Sequence, residues 1–187
     1  EIRDLCIEVV SLVCKDVRSE PIMGPSDQAY DGDRGEFSCR GFWESGVTAF
    51  FDNRIVNADA PSYVAKGQTW KQTADNAANE KKKHYTDMAE AVKGSFTPLV
   101  CSVDGALQRD FEMFLKRLGV LLANKWGKHK GEVMYWLRKK VQFAIIRAVN
   151  LRVRGTRKDI GGKLFHDDGA GMRYMPNGCA KTSKINE

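Results

Sequence analysis

What the sequence lacks narrows it first. No apolar run approaches the roughly 20 residues a helix needs to cross a bilayer, and no signal-peptide pattern opens the chain. The cysteines, at 6, 14, 39, 101 and 179, are odd in number and include no Cys-x-x-Cys pair. Most sit inside apolar patterns, which reads as reduced, buried thiols of a cytosolic or nuclear protein. None of the three histidines stands at zinc-ligand spacing with a cysteine pair, which argues against a structural zinc site. There is no internal repeat. There is also no initiator Met: Glu1-Ile2-Arg3 opens directly in a helical pattern, so the sequence reads as a piece of something longer.

What is present is the composition of a globular protein, 42% hydrophobic and 29% charged over 187 residues, enough chain for one domain with a sizeable core. A net charge of +6 modestly favours a polyanionic partner. Its distribution says more. The first part is rich in Asp and Glu, whereas 116–158 is dense in Lys and Arg, suggesting a basic face beside an acidic site.

Apolar residues at 2, 5, 6, 9, 10, 12, 13 and 17 predict a helix over 2–17. Pro21 and Gly24-Pro25 stop it, and 26–34, with Asp27, Asp31 and Asp33, reads as a solvated loop whose spacing is not the calcium-loop pattern. Bulky and β-branched residues around the Glu44-Ser45-Gly46 break predict a hairpin, with Glu36 at its start and Asp52 in a second strand running through Val56. Residues 57–62 read as a turn. A long helix is expected over 70–92 with Thr69 as its N-cap. Its inward stripe holds Trp70, Ala74, Ala77, Ala78, Lys81, Tyr85, Met88, Ala89 and Val92. Lys81 on that stripe either reaches toward an acid or runs its stem out to solvent. A strand over 96–103, a helix over 107–126 and a last helix over 132–154 follow, the last burying Val133, Trp136, Leu137, Val141, Phe143, Ala144, Ile145, Ala148 and Leu151. Residues 155–187 form a Gly-rich tail without periodicity, beyond a domain expected over 1–154.

Two acids and a lysine on adjoining elements are the parts of a divalent-metal phosphodiesterase site, in which the carboxylates hold Mg²⁺ and the lysine meets the water or the phosphorane charge. The order helix, hairpin, helix, strand resembles the PD-(D/E)XK restriction-endonuclease-like superfamily. Arg34-Gly35-Glu36, Asp52, the Glu80-Lys81-Lys82-Lys83-His84-Tyr85 run and Phe96-Thr97-Pro98-Leu99-Val100 with Asp104-Gly105 more narrowly resemble the C-terminal endonuclease domain of site-specific non-LTR retrotransposon proteins. The resemblance covers 2–154. It implies an α/β fold with a restriction-endonuclease-like core (helix, β-hairpin, helix, strand) and two additional C-terminal helices. It further implies a Mg²⁺- or Mn²⁺-dependent endonuclease that nicks target DNA for retroelement integration in the nucleus, reached through the cytoplasm, downstream of a reverse transcriptase and with the parent element's RNA as a further ligand.

Under the resemblance Glu36 and Asp52 are the metal-binding acids and Lys81 the catalytic lysine, with Glu20 matching an acid that some superfamily members add. Arg34, Arg54, Lys82, Lys139, Lys140 and Arg147 are candidates for contacting nucleic acid, and Lys81, Lys82 and Lys83 compete for entry to the site. Three positions depart from the family pattern. Arg-Gly-Glu stands where the family has a basic residue, Pro and Asp; and Arg54 replaces the usual lysine two residues after the second acid, where a guanidinium cannot act as a base. The alternative is a non-catalytic nucleic-acid-binding module that stacks bases on Trp126 or Tyr135.

Overall fold

The computed structural model of the protein describes residues 1–23 and 34–155. Helix α1 (Ile2–Ser11) is followed by strands β1 (Lys15–Ser19), β2 (Phe37–Arg40) and β3 (Thr48–Val56), a one-turn helix α2 (Pro61–Val64), a long helix α3 (Trp70–Ala91), strand β4 (Gly94–Ser102), and helices α4 (Arg109–Trp126) and α5 (Lys130–Gly155). The mixed α/β class expected from the sequence is the class observed: among the described residues, a four-stranded sheet in the order β1-β2-β3-β4, with five helices.

β2 and β3 form the expected antiparallel hairpin, in the register Phe37↔Phe51 and Arg40↔Thr48. β4 lies parallel to β3, pairing Asp52 with Pro98. A parallel pair cannot be joined by a tight turn, so the chain crosses over through α3. Thr69 caps α3: its hydroxyl accepts from the Gln72 N–H, and the Gln72 side chain accepts from the Thr69 N–H at 2.9 Å. Pro98 lies in the middle of its strand, at the sheet edge where a missing donor is tolerated.

One expectation fails at the beginning of the chain. The helix predicted over 2–17 ends at Ser11, and its remainder is β1, paired to β2 from Lys15↔Arg40 to Ser19↔Phe37 with a bulge between. Val13 and Val17 are four residues apart, a spacing that also satisfies an alternating strand, and the exposed edge of the hairpin offers a ladder that overrides the local helical pattern. Residues 61–64, read as part of a turn and its continuation, form α2 with Pro61 in its first turn.

Helices cover both faces of the sheet. On one, Phe37, Phe51, Cys39, Ala49, Leu99 and Cys101 pack against α1, α4 and α5 in the main core. On the other, two smaller clusters join α3 to Phe50, Val56 and Val100. In α5, Val133, Leu137, Val141, Ala144 and Ile145 are buried as expected, but Phe143 and Leu151 are exposed; apolar residues occur all round this helix, so periodicity alone misassigned them. Cys6, Cys39 and Cys101 are buried free thiols and Cys14 is half-buried. No helix among the described residues is long and apolar enough to cross a membrane. The loop with Asp27, Asp31 and Asp33, Cys179 and the tail beyond Gly155 lie outside the described residues.

Candidate active site

The site begins with the packing of α3. Ala74, Ala77, Ala78 and Ala89 form its sheet-facing side, and methyl groups let a helix approach a sheet closely. A lysine on the same stripe can therefore reach the strand beneath it. Asp52, in the middle of β3 and only 6% exposed, meets Lys81: the Nζ lies 2.9 Å from Asp52 Oδ2 and 5.4 Å from the centre of the Tyr85 ring. Of the two courses open to Lys81, the inward one is taken.

The contact is one of charge, not of a well-aligned hydrogen bond. Asp52 Oδ2 is shielded from solvent and has no hydrogen-bond donor with proper geometry. A buried carboxylate oxygen in that state is costly unless a cation stands close. Lys81 supplies one charge and leaves directional capacity on the acid unused.

Glu36 enters from just before β2. Its N–H donates to Phe51 O at 3.0 Å, and its side chain accepts from the Asn53 N–H at 3.2 Å and from the Asn53 amide. Burial raises its carboxyl pKa above the ordinary value and the charge of Asp52 adds to the rise, while the Asn53 hydrogen bonds and, more weakly, Arg3 oppose it. The charge of Asp52 thus acts on Glu36, although Asp52 is taken up by Lys81 and Glu36 by Asn53. Glu36 and Asn53 open onto a cleft of about 850 Å³, also lined by Arg3, Arg54, Asn57 and Arg152.

The three consecutive lysines separate. Lys81 enters the site, Lys82 pairs with Asp110 of α4 at 2.7 Å, and Lys83 is exposed. Arg54 pairs with Glu80 at 2.6 Å, joining β3 to α3 at the residue before Lys81. Arg34 is exposed and forms a bridge with Ile22. Lys139 and Lys140 lie over the rings of Tyr135 and Trp136, and Arg147 faces Glu1 at 3.5 Å. These α5 residues belong to the sheet face opposite α3, so the structure does not bring them together with Lys81 and Lys82. Glu20 sits just after β1 rather than on a helix; its N–H donates to Glu36 O at 2.9 Å, and its carboxylate accepts from Arg3 at 2.7 Å.

Sequence reasoning missed Asn53 and Arg3. Asn53 follows the second acid directly, and its partnership with Glu36 could have been found by placing Glu36 opposite Asp52 in the hairpin register. Arg3 carries no such signal, because its approach depends on how α1 docks.

The donor set is compatible with a divalent ion of the Mg²⁺ type, which is commonly held by one or two carboxylates with water and phosphate completing the shell. Asp52 contributes an oxygen without a hydrogen-bond donor, and its charge raises the carboxyl pKa of Glu36, which lines a cleft that includes neither Asp52 nor Lys81. Among the described residues no three His, Cys, Asp or Glu side chains gather into a ready-made cage. No family model matches this chain, and no curated protein matches it.

Proposed function

We propose that this chain is a divalent-metal-dependent DNA endonuclease domain with a restriction-endonuclease-like core, nicking target DNA by phosphodiester hydrolysis in the manner of non-LTR retroelement integration. The observation that carries the reading is the Asp52–Lys81 contact at 2.9 Å, made in the parallel β3–α3–β4 unit with Glu36 just before β2. In this reading Glu36 and Asp52 hold Mg²⁺ or Mn²⁺. When bound, the metal supplies an acidified water and neutralises phosphate charge.

The chain's own groups do the rest. Lys81, beside Asp52, presents its ammonium to a non-bridging phosphate oxygen, where negative charge grows as water oxygen bonds to phosphorus. The attacking water gives a proton to solvent, the bond to the leaving oxygen breaks, and that oxygen takes up a proton from solvent. Arg54 and Arg152 line the cleft beside Glu36 and meet flanking phosphates, a grip that is salt-dependent and indifferent to sequence. An upstream reverse transcriptase, the parent element's RNA and a nuclear place of action belong to the same proposal.

The test is conversion of supercoiled plasmid to the nicked form with Mg²⁺ or Mn²⁺, comparing the native chain with Asp52→Ala. Metal-dependent nicking that vanishes in the variant supports the reading. DNA binding without metal-dependent nicking overturns it in favour of a second one, a non-catalytic nucleic-acid-binding module. That second reading is favoured by one observation: each acid already has a partner within the protein, Lys81 for Asp52 and Asn53 for Glu36.

A further inference from the structure

Cys14 and Cys39 belong to no Cys-x-x-Cys motif, and it is the β1–β2 ladder that brings them together. Lys15 pairs with Arg40 in that ladder, and both are exposed. Successive residues of a strand turn to opposite faces. Cys14 and Cys39, each just before one member of that pair, therefore turn to the other face, which is the main core. Cys39 is fully buried there, and Cys14 packs against the same cluster at its half-buried edge. The two thiols meet, the Cys39 S–H donating to the Cys14 sulfur.

The two are not equivalent. The Cys14 thiol is held below its ordinary pKa by that hydrogen bond first, against burial, and then by the charge of Arg117. Arg117 is fixed in place by its Nε, which donates to Phe42 O at 3.0 Å. The Cys39 thiol is pushed up, by the hydrogen bond first and then by burial and the Cys14 charge. Cys6 and Cys101 are both buried and both pushed up by burial, Cys101 to about 12, so neither offers a thiolate to solvent. A partly open cysteine beside a cation, with a second thiol directly behind it, has the arrangement of an attacking and a resolving cysteine.

We propose that Cys14 is an oxidation site for hydroperoxides, and that Cys39 captures the oxidised sulfur as an intramolecular disulfide. The Cys14 thiolate sulfur bonds to one oxygen of hydrogen peroxide, the O–O bond breaks, and hydroxide leaves, giving the sulfenic acid. The Cys39 sulfur then bonds to the Cys14 sulfur, the S–O bond breaks, and the hydroxyl leaves as water with the Cys39 proton. Two thiols are oxidised and one peroxide is reduced to two waters. Diagonal neighbours across an antiparallel pair stand about 7–8 Å apart, slightly more than a disulfide spans. Cys14 precedes the first ladder pair, so the closing movement falls in the connection from Ser11 to Lys15 and not in the sheet. The proposal uses neither Asp52 nor Lys81 and stands apart from the nuclease reading.

The test treats the reduced full chain with equimolar hydrogen peroxide, blocks the remaining thiols with N-ethylmaleimide, and maps the unreduced digest by mass spectrometry. A Cys14–Cys39 peptide pair, two hydrogens lighter than its parts and separated by dithiothreitol, is expected. Cys39→Ala should abolish the link and leave Cys14 as a sulfenic acid that dimedone traps. Cys14→Ser should leave Cys39 reduced, and its half-buried position keeps the test decisive if the Cys39 variant misfolds. The proposal is overturned if both cysteines of the native chain are recovered as maleimide adducts after peroxide. It is equally overturned if Cys14 links only to another copy of the chain, or if Cys39 is oxidised as readily in Cys14→Ser.

Discussion

The two faces of the sheet are packed by different means. On the face covered by α1, α4 and α5, rings do the filling: Phe37 stacks on Phe51 at 4.7 Å between centroids, Phe42 on Phe114 at 4.9 Å, and Phe42 meets Phe51 edge-on at 5.4 Å. On the face covered by α3, methyl groups do it, chiefly those of Ala74, Ala77 and Ala78. The first arrangement concentrates stability. The second brings a helix near enough to the strands that a lysine and an aspartate touch beneath it.

The sharpest way to break that comparison is to remove one ring. Phe51→Ala should cost about 3–5 kcal/mol, because a fully buried Phe leaves a cavity among neighbours that relax only partly. Ala77→Gly on the α3 face should cost about 1 kcal/mol, mostly helix propensity. Denaturant unfolding of the two variants checks the ratio. Equal losses would mean that the faces share the load.

Next in size is the Asp52–Lys81 contact. Lys81→Met should destabilise by about 1–3 kcal/mol, short of the cost for a fully enclosed pair because the Lys81 side chain is 26% exposed. Adding Asp52→Asn should recover much of that loss, since the uncompensated charge is then gone. If the double variant is no more stable than Lys81→Met, Asp52 was not depending on Lys81. Smaller again is the difference between two glycines. A Cβ on Gly94 would stand 2.8 Å from Thr48 O and 2.7 Å from the Phe50 ring, whereas one on Gly119 would meet the flexible end of Met134. Gly94→Ala should therefore lose about 1–2 kcal/mol. Gly119→Ala should lose less, its strain offset by helix propensity, and thermal unfolding distinguishes them.

How far the sequence disclosed this molecule follows the same division. α3 could be read almost to the residue, because Thr69 gives a cap signal and the alanine stripe has one period; the inward course of Lys81 was half legible, as one of two courses. The hairpin was legible from the Gly46 break between two bulky runs. β1 was not, since Val13 and Val17 fit either period and only pairing with β2 decides between them. The outer face of α5 is not legible for the related reason that a helix apolar on several sides has no single stripe to find, so the pattern places Phe143 in the core, while Leu151 shares the bearing of buried Val133 but is exposed. The partition of the lysines, with Lys82 drawn to Asp110, depends on where α4 lands, which no local pattern encodes.

The least costly change, and the most informative about the site, concerns two glutamates pulled in opposite directions. Glu80, fully exposed, is held below its ordinary pKa by the hydrogen bond from Arg54. Glu36 is pushed above its ordinary value near 4.5, by burial first, against the Asn53 hydrogen bonds, and then by the charge of Asp52. A carboxyl whose pKa is higher in the folded state binds its proton more readily there than in the unfolded chain. The Glu36 contribution therefore favours the fold below the unfolded value and is lost as pH rises through the folded one, opposite to Glu80, whose contribution is present above its ordinary value and lost as pH falls. Comparing unfolding free energies of the native chain and Glu36→Gln across this window should show the native chain's relative advantage shrinking as pH rises. Asn53→Ala, by removing donors that favour the carboxylate, should move the window upward. Carboxyl NMR titration reads the same group directly, and a Glu36 that titrates at or below 4.5 would remove the basis for the prediction. If Glu36 is a metal ligand, adding Mg²⁺ must pull its titration downward, because metal and proton compete for one carboxylate; a titration that Mg²⁺ leaves in place would separate Glu36 from the metal while leaving its burial and its repulsion by Asp52 intact.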